Sequence, residues 1–353
     1  MNRPPPPPPA LLQTPGFAHY SLAWSPFHST RLALASAANY GLVGNGRLHL
    51  VSLGPGPGGV PGLSIDKCSY DTQDGLYDVA WSEVHENQLV TASGDGSIRL
   101  WDIMLNDLPL RAWQEHTREV FSLDWSNLQK DLFVSASWDG TVKLVLVPRA
   151  PALAQHAARA PRVRLPGALL AAPARYHRDV PTDGTLKIFD LRAPAYAAPA
   201  PGGAPGSFTA PLSAAALTVL TLDWNKYRPW VLASAGVDKA VKVWDCRMVK
   251  MGAGAGTGAE QQAVGGLCET HMAGHEYAVR RVQWSPHRPD VLATASYDMT
   301  CRVWTTTPTA AGTHLLYIHD PHTEFVVGCG WSLYDDGLLA SCGWDSRLNV
   351  FRV

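Results

Sequence analysis

The sequence predicts an all-β fold, a seven-bladed β-propeller. Three recurrences carry that expectation. A Trp and a later Asp are separated by 14 residues in five pairs: Trp81/Asp95, Trp125/Asp139, Trp224/Asp238, Trp284/Asp298 and Trp331/Asp345. Six residues beyond each Asp stands a bulky apolar residue: Trp101, Val145, Trp244, Trp304 and Phe351. Nine residues before the Trp, a His appears three times: His116, His275 and His322. Chance does not align three registers in this way.

The Asp positions lie 44 (95 to 139), 60 (238 to 298) and 47 (298 to 345) residues apart. A period of about 40–45 residues with a Trp-Asp ending marks a WD repeat, and SGDGSIRLWD and GVDKAVKVWD carry that ending. Each unit is expected to be a four-stranded antiparallel sheet. One such sheet cannot bury both faces, so blades stack around a central channel. The turn Asp can accept hydrogen bonds from nearby amides and from the His. The resemblance to WD repeats implies that His275, Asp298 and Trp304, with a Ser or Thr of the TAS segment, form one such network. His116 with Asp139 and His322 with Asp345 are expected to repeat it. These roles are structural rather than catalytic.

In chain order, the polyproline run Pro4–Pro9 reads as an extended tail, with residues 1–10 disordered and 11–353 forming the single propeller. HYSLAWSPF places Trp24 at the repeat position of a degenerate first blade, with Asn39 near its turn. Residues 54–62 read as a loop. Blades two and three start at GLYDVAWS and EVFSLDWS. Blade four departs from the pattern. Asp183 falls 44 residues after Asp139, and TDGTLKIFD is a good closing strand, but Leu169 and Ala160 stand where Trp and His are expected. The Ala/Pro/Arg-rich text between has no alternation and many prolines, which break strands. Read literally, blade four lacks about three strands. Blade five, around Trp224, follows an Ala/Pro/Gly loop at 193–216, and a flexible stretch at 251–266 explains the 60-residue spacing to blade six. After the third strand of blade seven, the missing outer strand is expected from the N-terminus, at Leu11–Thr14.

Composition narrows the function. The chain has 353 residues, 46% hydrophobic, with 29 basic and 30 acidic residues and a net charge of -1. That argues against general nucleic-acid binding, which needs a basic excess to release counterions. Six cysteines form no CxxC pair, which suits a reducing compartment and argues against zinc. No secretory signal is visible, and the uncharged stretch Ala193–Leu222 is too rich in Pro and Gly to span a membrane, so a cytoplasmic location is expected without direct membrane insertion. No Walker loop, HExxH, GxSxG or Rossmann glycine pattern is present, and no cofactor, metal or enzyme activity is expected. The usual work of a propeller is binding at its top rim, and fold alone does not name the partner.

Several strings go beyond the repeat: TPGFAHYSLAWSPF, ANYGLVGNG, DGLYDVAWSE, EHTREVFSLDWS, LDWNKYRPWVLASAGVD, GHEYAVRRVQWSPH, SYDMTCRVW and PHTEF. In order, and over most of the chain outside 145–182 and the Gly/Ala loops, they resemble the peroxin-7 family, the WD-repeat receptors for the type-2 peroxisomal targeting signal. Histone-binding propellers share much of the pattern. A WD-repeat scaffold or substrate adaptor, of ubiquitin-ligase or histone-binding type, is therefore the competing reading. The peroxin-7 resemblance implies a receptor that binds matrix proteins in the cytoplasm and cycles to the peroxisome. It implies a nine-residue signal with a basic residue and Leu at the front and His or Gln and Leu at the back, which share one face of a helix. It also implies a co-receptor of the long peroxin-5 or peroxin-20 type and a peroxisomal docking complex.

Such a signal needs an apolar groove with acids beside it. Glu119 lies three residues after His116, and Asp74 two after Thr72, the equivalent of that His in blade two. Tyr40 sits in the ANYG string. The residue before each turn Asp is expected to face the top rim, which selects Trp138, Tyr297 and Trp344. Each has an alternative. Glu119 and Asp74 also read as solvated acids, and Trp138 and Trp344 as packing between blades. Arg280 and Arg281 pair either with acids of neighbouring blades or with an acidic co-receptor segment.

The content of blade four is expected to reflect a misread frame or intron over 145–182, with a divergent insertion as the alternative. Sequencing the transcript across those codons decides between them, and a clean cDNA matching this text rules out the artefact.

Overall fold

A computed structural model describes residues 8–56, 61–105, 108–147, 169–173, 186–190, 207–210, 219–247 and 267–353. For 67–69, 169–173, 186–190, 207–210 and 267 only the backbone is described. The described strands form seven antiparallel sheets in chain order. The Val/Leu/Ala-rich second strands, such as Leu89–Ser93 within Gln88–Ser93, are buried on both faces, as a blade between two neighbours requires. Blade one comprises Phe17–Trp24, Arg31–Ala38, Gly46–Pro55 and Pro61–Thr72. Its last hairpin extends the ladder to Gly54↔Gly62 and Pro55↔Pro61, so both ends of the expected loop at 54–62 are strand. Blades two, five and six also have four strands, with inner strands Leu76–Trp81, Val219–Trp224 and Val279–Trp284. Blade three has three described strands, beginning with Val120–Trp125.

Blade seven begins with Val326–Trp331 and takes its fourth strand from Ala10–Gln13, in register Ala10↔Val350 through Gln13↔Arg347. The sequence places this closing strand almost correctly. Ala10, assigned to the disordered tail, is instead its first residue and is buried. Residues 1–7 of that tail and the loop 251–266 lie outside the described residues.

Blade four corrects the sequence reading. Leu169–Pro173 pairs with Leu186–Asp190, which pairs with Ser207–Ala210. A strand therefore forms inside the text that shows no alternation, and another inside the stretch 193–216 read as loop. A strand buried on both faces need not alternate, and LLAA meets that condition. In blades one, two, five, six and seven the second strand packs on the first strand of the next blade, and Leu169–Pro173 meets Val219–Trp224 in the same way. It thus occupies the second-strand position, and no innermost strand of blade four is found among the described residues.

The repeat Trp residues stitch the seams. Each indole Nε1 donates to the carbonyl just before the Trp of the preceding blade: Trp24 to Gly330 at 2.9 Å, Trp81 to Ala23 at 3.0 Å, Trp284 to Asp223 at 3.1 Å and Trp331 to Gln283 at 3.2 Å. Trp125 bonds instead to Lys130 of its own turn, at 2.6 Å. Trp224, which follows blade four, has no indole partner among the described residues.

Three buried histidines make stability pH-dependent. His19 donates to or accepts from Ser36 at 2.8 Å and Thr14 at 2.9 Å, whereas Nε2 of His49 and of His319 is buried without a partner among the described residues. Burial, aided by the field of His49, lowers His19 to about 3. Burial and then Arg47 lower His49 to about 4, and burial and then His322 lower His319 to about 3. The unfolded chain protonates each below about pH 6.5, before the folded protein does. Stability is therefore fully present above that pH and is lost as pH falls toward the folded values, by on the order of 1 kcal/mol per pH unit for each histidine. Denaturant titrations should give a clearly lower unfolding free energy at pH 5 than at pH 7. Equal values would show that these side chains are not held neutral by the fold.

Candidate functional site: an aromatic belt on the top face

Each described inner strand starts with a bulge. The ladder skips one residue between His19 and Ser21, Leu76 and Asp78, Val120 and Ser122, Val219 and Thr221, Val279 and Arg281, and Val326 and Gly328. A bulge releases one residue from the ladder and re-aims its side chain. The released residues are Tyr20, Tyr77, Phe121, Leu220, Arg280 and Val327, each four before the repeat Trp. Blades one to three thus present three aromatics in a row.

A second set comes from the turns. The amide of the residue before the turn Asp donates to the carbonyl of the residue just before the inner strand: Trp138 to Glu119 at 3.0 Å, Tyr297 to Ala278 at 3.1 Å and Trp344 to Phe325 at 2.9 Å. The turns are held by the repeat networks. His116 bonds Asp139 at 2.9 Å and Ser135 at 2.8 Å, and His275 bonds Asp298 and Thr294, both at 2.7 Å. His322 bonds Asp345 at 3.0 Å and Ser341 at 2.9 Å, and the Trp304 indole donates to Thr294 at 2.8 Å. For Asp139, burial alone would raise the carboxyl. Hydrogen bonds from Thr141, His116 and the amides of Thr141 and Thr117 outweigh it and lower it to about 2.

Together the two sets make one continuous belt across five blades. Trp138 stacks on Phe121 at 4.2 Å between ring centroids, Phe121 on Tyr77 at 4.8 Å, and Tyr77 meets Tyr20 edge-on at 5.0 Å. Tyr20 lies 5.7 Å from Trp344, which lies 5.3 Å from Phe325, and Phe325 lies 5.0 Å from Tyr297. Tyr40 joins through Trp344 at 5.8 Å. Trp138, Tyr297, Trp344 and Tyr40 are therefore on the belt. Tyr20, Tyr77, Phe121 and Phe325 escaped the sequence reading, although the spacing of four before each repeat Trp marks the first three.

The ANYG string acquires a reason here. Asn39–Gly41 forms a single 3₁₀ turn with Asn39 and Tyr40 left-handed, at φ 47° and 58°. The Tyr20 hydroxyl donates to the Tyr40 carbonyl at 2.5 Å and the Tyr77 hydroxyl to the Gly41 carbonyl at 3.2 Å. Gly41 is itself left-handed at φ 70°, and a Cβ there would lie 3.0 Å from one of those hydroxyls and 3.1 Å from the other. The clamped turn holds Leu42 and Val43 in solvent, 84% and 76% exposed, beside the belt.

Charge is unevenly spread along the belt. Asp74 is exposed and Glu119 half-buried at the end formed by blades two and three, with Glu119 3.6 Å from Arg118. Burial raises the Tyr77 phenol, and the fields of Glu119 and Asp74 raise it further, so both carboxylates lie near that ring. Burial also raises Tyr20, with Tyr77 and Tyr297 adding to the shift and Arg280 opposing it, so Arg280 lies near that ring. Arg281 pairs with an acid of another blade, in line with the first of its two expected roles. It alternates with Arg280 along the strand and faces the channel, 3.6 Å from the buried carboxylate of Asp78 in blade two.

Comparison with known proteins agrees with this architecture. The WD domain, G-beta repeat model matches residues 66–102, 108–145, 206–245 and 266–305. The peroxisomal targeting signal 2 receptor of Komagataella phaffii is 37% identical over 391 residues, 97% of this chain and 98% of the relative. The receptors of that name from Saccharomyces cerevisiae and Mus musculus are 34% and 33% identical, each over 96% of this chain and over 97% and 95% of the relatives. The chain belongs to the peroxisomal targeting signal 2 receptor family. The peroxin-7 resemblance read from the sequence is thereby established. Within this receptor family chain, blades one and seven extend the propeller beyond the four matched repeats, and 146–205 falls between the second and third of them.

The clamped turn can be tested directly. Gly41→Ala should destabilise the protein by about 1–2 kcal/mol, from the left-handed backbone and the displaced tyrosines. The readout is the denaturant midpoint with near-UV circular dichroism, and an unchanged midpoint would show that the turn is not clamped.

Proposed function

We propose that the chain is a cytoplasmic import receptor that binds the N-terminal type-2 peroxisomal targeting signal of matrix proteins on the aromatic belt. The observation that carries this is the belt itself, apolar over five blades and acidic at one end. An amphipathic helix lays its apolar face into such a surface. Nine helical residues span about 13.5 Å, so a signal helix covers part of the belt and leaves the remainder to a second protein. Leucines of the signal supply most of the affinity, at roughly 1.5–3 kcal/mol for each side chain fully buried. Its cations meet Asp74 and Glu119. Exposed pairs contribute only about 0–1 kcal/mol, so these carboxylates set orientation more than affinity until a partner covers them.

That partner, in this reading, is a co-receptor of the long peroxin-5 or peroxin-20 type, which closes over the bound helix and takes the complex to the peroxisomal docking machinery. The receptor then cycles between cytoplasm and peroxisome. The work is binding throughout, with no chemical step assigned to the chain.

A labelled type-2 signal peptide, titrated with the purified protein with and without co-receptor, tests the reading. Absence of binding in both arms, with a folded protein, rejects it. Glu119→Lys should weaken peptide binding by about tenfold, equivalent to 1.4 kcal/mol, and leave the melting temperature unchanged. Unaltered affinity removes Glu119 from the site.

A further inference from the structure

The turn after each repeat Asp forces one residue into the left-handed region: Gly96 (φ 82°), Gly140 (φ 79°), Lys239 (φ 65°), Met299 (φ 64°) and Ser346 (φ 62°). Glycine takes that conformation freely, whereas a side chain crowds the following carbonyl. Blades two and three use glycine. Blades five and six carry Lys239 and Met299, and packing does not compensate, since both are exposed. Side chains kept at a local steric cost and turned to solvent point to a role outside the fold.

Their surroundings supply the rest of a surface. Val237 and Tyr277 are exposed, at 40% and 59%. The Lys239 ammonium lies 5.9 Å from the centre of the Tyr277 ring, which joins the blade-five turn to the opening of blade six. The Ser296 hydroxyl donates to the Tyr277 carbonyl at 3.2 Å, setting Tyr277 beside the turn that carries Met299. The acids in these turns are engaged: Asp238 with Lys242 at 2.5 Å and Asp298 with His275 at 2.7 Å. Exposed Glu276 stands at the edge, and Arg280 lies four residues along, toward the belt.

We propose that this edge of blades five and six, built on Val237, Lys239, Tyr277 and Met299, is a docking surface for a partner segment that presents acidic side chains next to apolar ones, supplied by the co-receptor and not by the cargo signal. The proposal rests on the receptor reading above. Charge complementarity selects the occupant. A cationic signal is drawn to Asp74 and Glu119 and repelled by Lys239 and Arg280, whereas an acidic segment is drawn to the latter. An exposed Tyr and a flexible Met beside it are the side chains that anchor an apolar partner surface.

The test titrates the full chain with purified peroxin-20-type co-receptor and, separately, with labelled signal peptide. Lys239→Gly and Met299→Gly relax the left-handed turns, so their melting temperatures should be equal to or above that of the parent, which excludes misfolding as a cause. Tyr277→Ala provides a third variant outside the strained positions. The expected result is at least a tenfold loss of co-receptor affinity in the Lys239→Gly/Met299→Gly double variant, with the Lys239 share shrinking at high salt, and peptide affinity within twofold of the parent. The proposal is overturned by unchanged co-receptor affinity, by parallel loss of peptide and co-receptor, by absence of co-receptor binding to the parent, or by light scattering that shows the edge joins two copies of this chain. Failure of the peptide alone would sink the receptor reading, while the co-receptor arm still decides the surface.

Discussion

The ring depends on one repeated contact: an indole N–H that crosses a seam to the carbonyl just before the preceding blade's tryptophan. A blade is apolar on both faces, so burial drives stacking but does not fix how far one sheet slides on the next. The indole bond does. It runs without interruption over the seams five–six, six–seven, seven–one and one–two, through Trp284, Trp331, Trp24 and Trp81. On three of those seams a second clasp joins it. The Tyr227 hydroxyl donates to Pro286 at 2.6 Å, His287 bonds the Ser332 carbonyl at 3.2 Å, and the Tyr334 hydroxyl donates to Pro26 at 2.6 Å. The third of these seams also carries the closing strand Ala10–Gln13. A net hydrogen bond contributes only about 1 kcal/mol, but a buried indole left without one costs 1–3, so the contact disfavours misaligned blades more than it rewards aligned ones.

Fixing the seams fixes the belt. The bulge residue sits four positions before the seam tryptophan, so whatever aligns the tryptophans also aligns Tyr20, Tyr77 and Phe121 at one height. Ring contacts of 4.8 and 5.0 Å between blades then follow without further design. The same alignment brings the Tyr20 and Tyr77 hydroxyls together beneath the Asn39–Gly41 turn. The functional surface is thus a by-product of the packing rule, specialised by choosing aromatics at a position where the repeat itself accepts Leu220 or Val327.

Much of this was legible in the sequence because the repeat is a spacing rule. Trp, Asp and His at fixed separations gave the blades, the turns and the His-Asp networks, and the residue before each Asp led to Trp138, Tyr297 and Trp344. Tyr20, Tyr77 and Phe121 were missed because a bulge breaks the two-residue alternation by which strand faces are assigned. Once bulged, those residues no longer share a face with their ladder neighbours. For Arg281 the sequence left two partners open, because adjacent strand residues diverge and only the three-dimensional ring shows that its side of blade six looks across the channel at Asp78. Blade four was misread because Leu169–Pro173 carries no alternation, and alternation is expected only where one face meets water.

Asp78 shows how the weaker side of the ring is held. Trp125 turns to its own loop and Trp224 lacks a partner among the described residues, so the indole rule lapses at the seams two–three and four–five. Asp78 compensates at the first of these. Its carboxylate accepts from Ser21 of blade one at 2.6 Å and from the Leu123 amide of blade three at 2.8 Å, and it faces Arg281 of blade six at 3.6 Å. Besides the Val79 amide of its own strand, which donates to Oδ1 at 3.0 Å, its donors and its countercharge come from other blades, so the group is fully partnered only when those blades are in place. A buried carboxylate stripped of such partners costs several kcal/mol, which makes Asp78 a selector for the closed arrangement more than a source of stability. The acidic end of the belt, at Asp74 and Glu119, opens the two inner strands that this carboxylate ties together, Leu76–Trp81 and Val120–Trp125. The placement of the two rim acids relative to each other therefore rests on a charge that never reaches the surface.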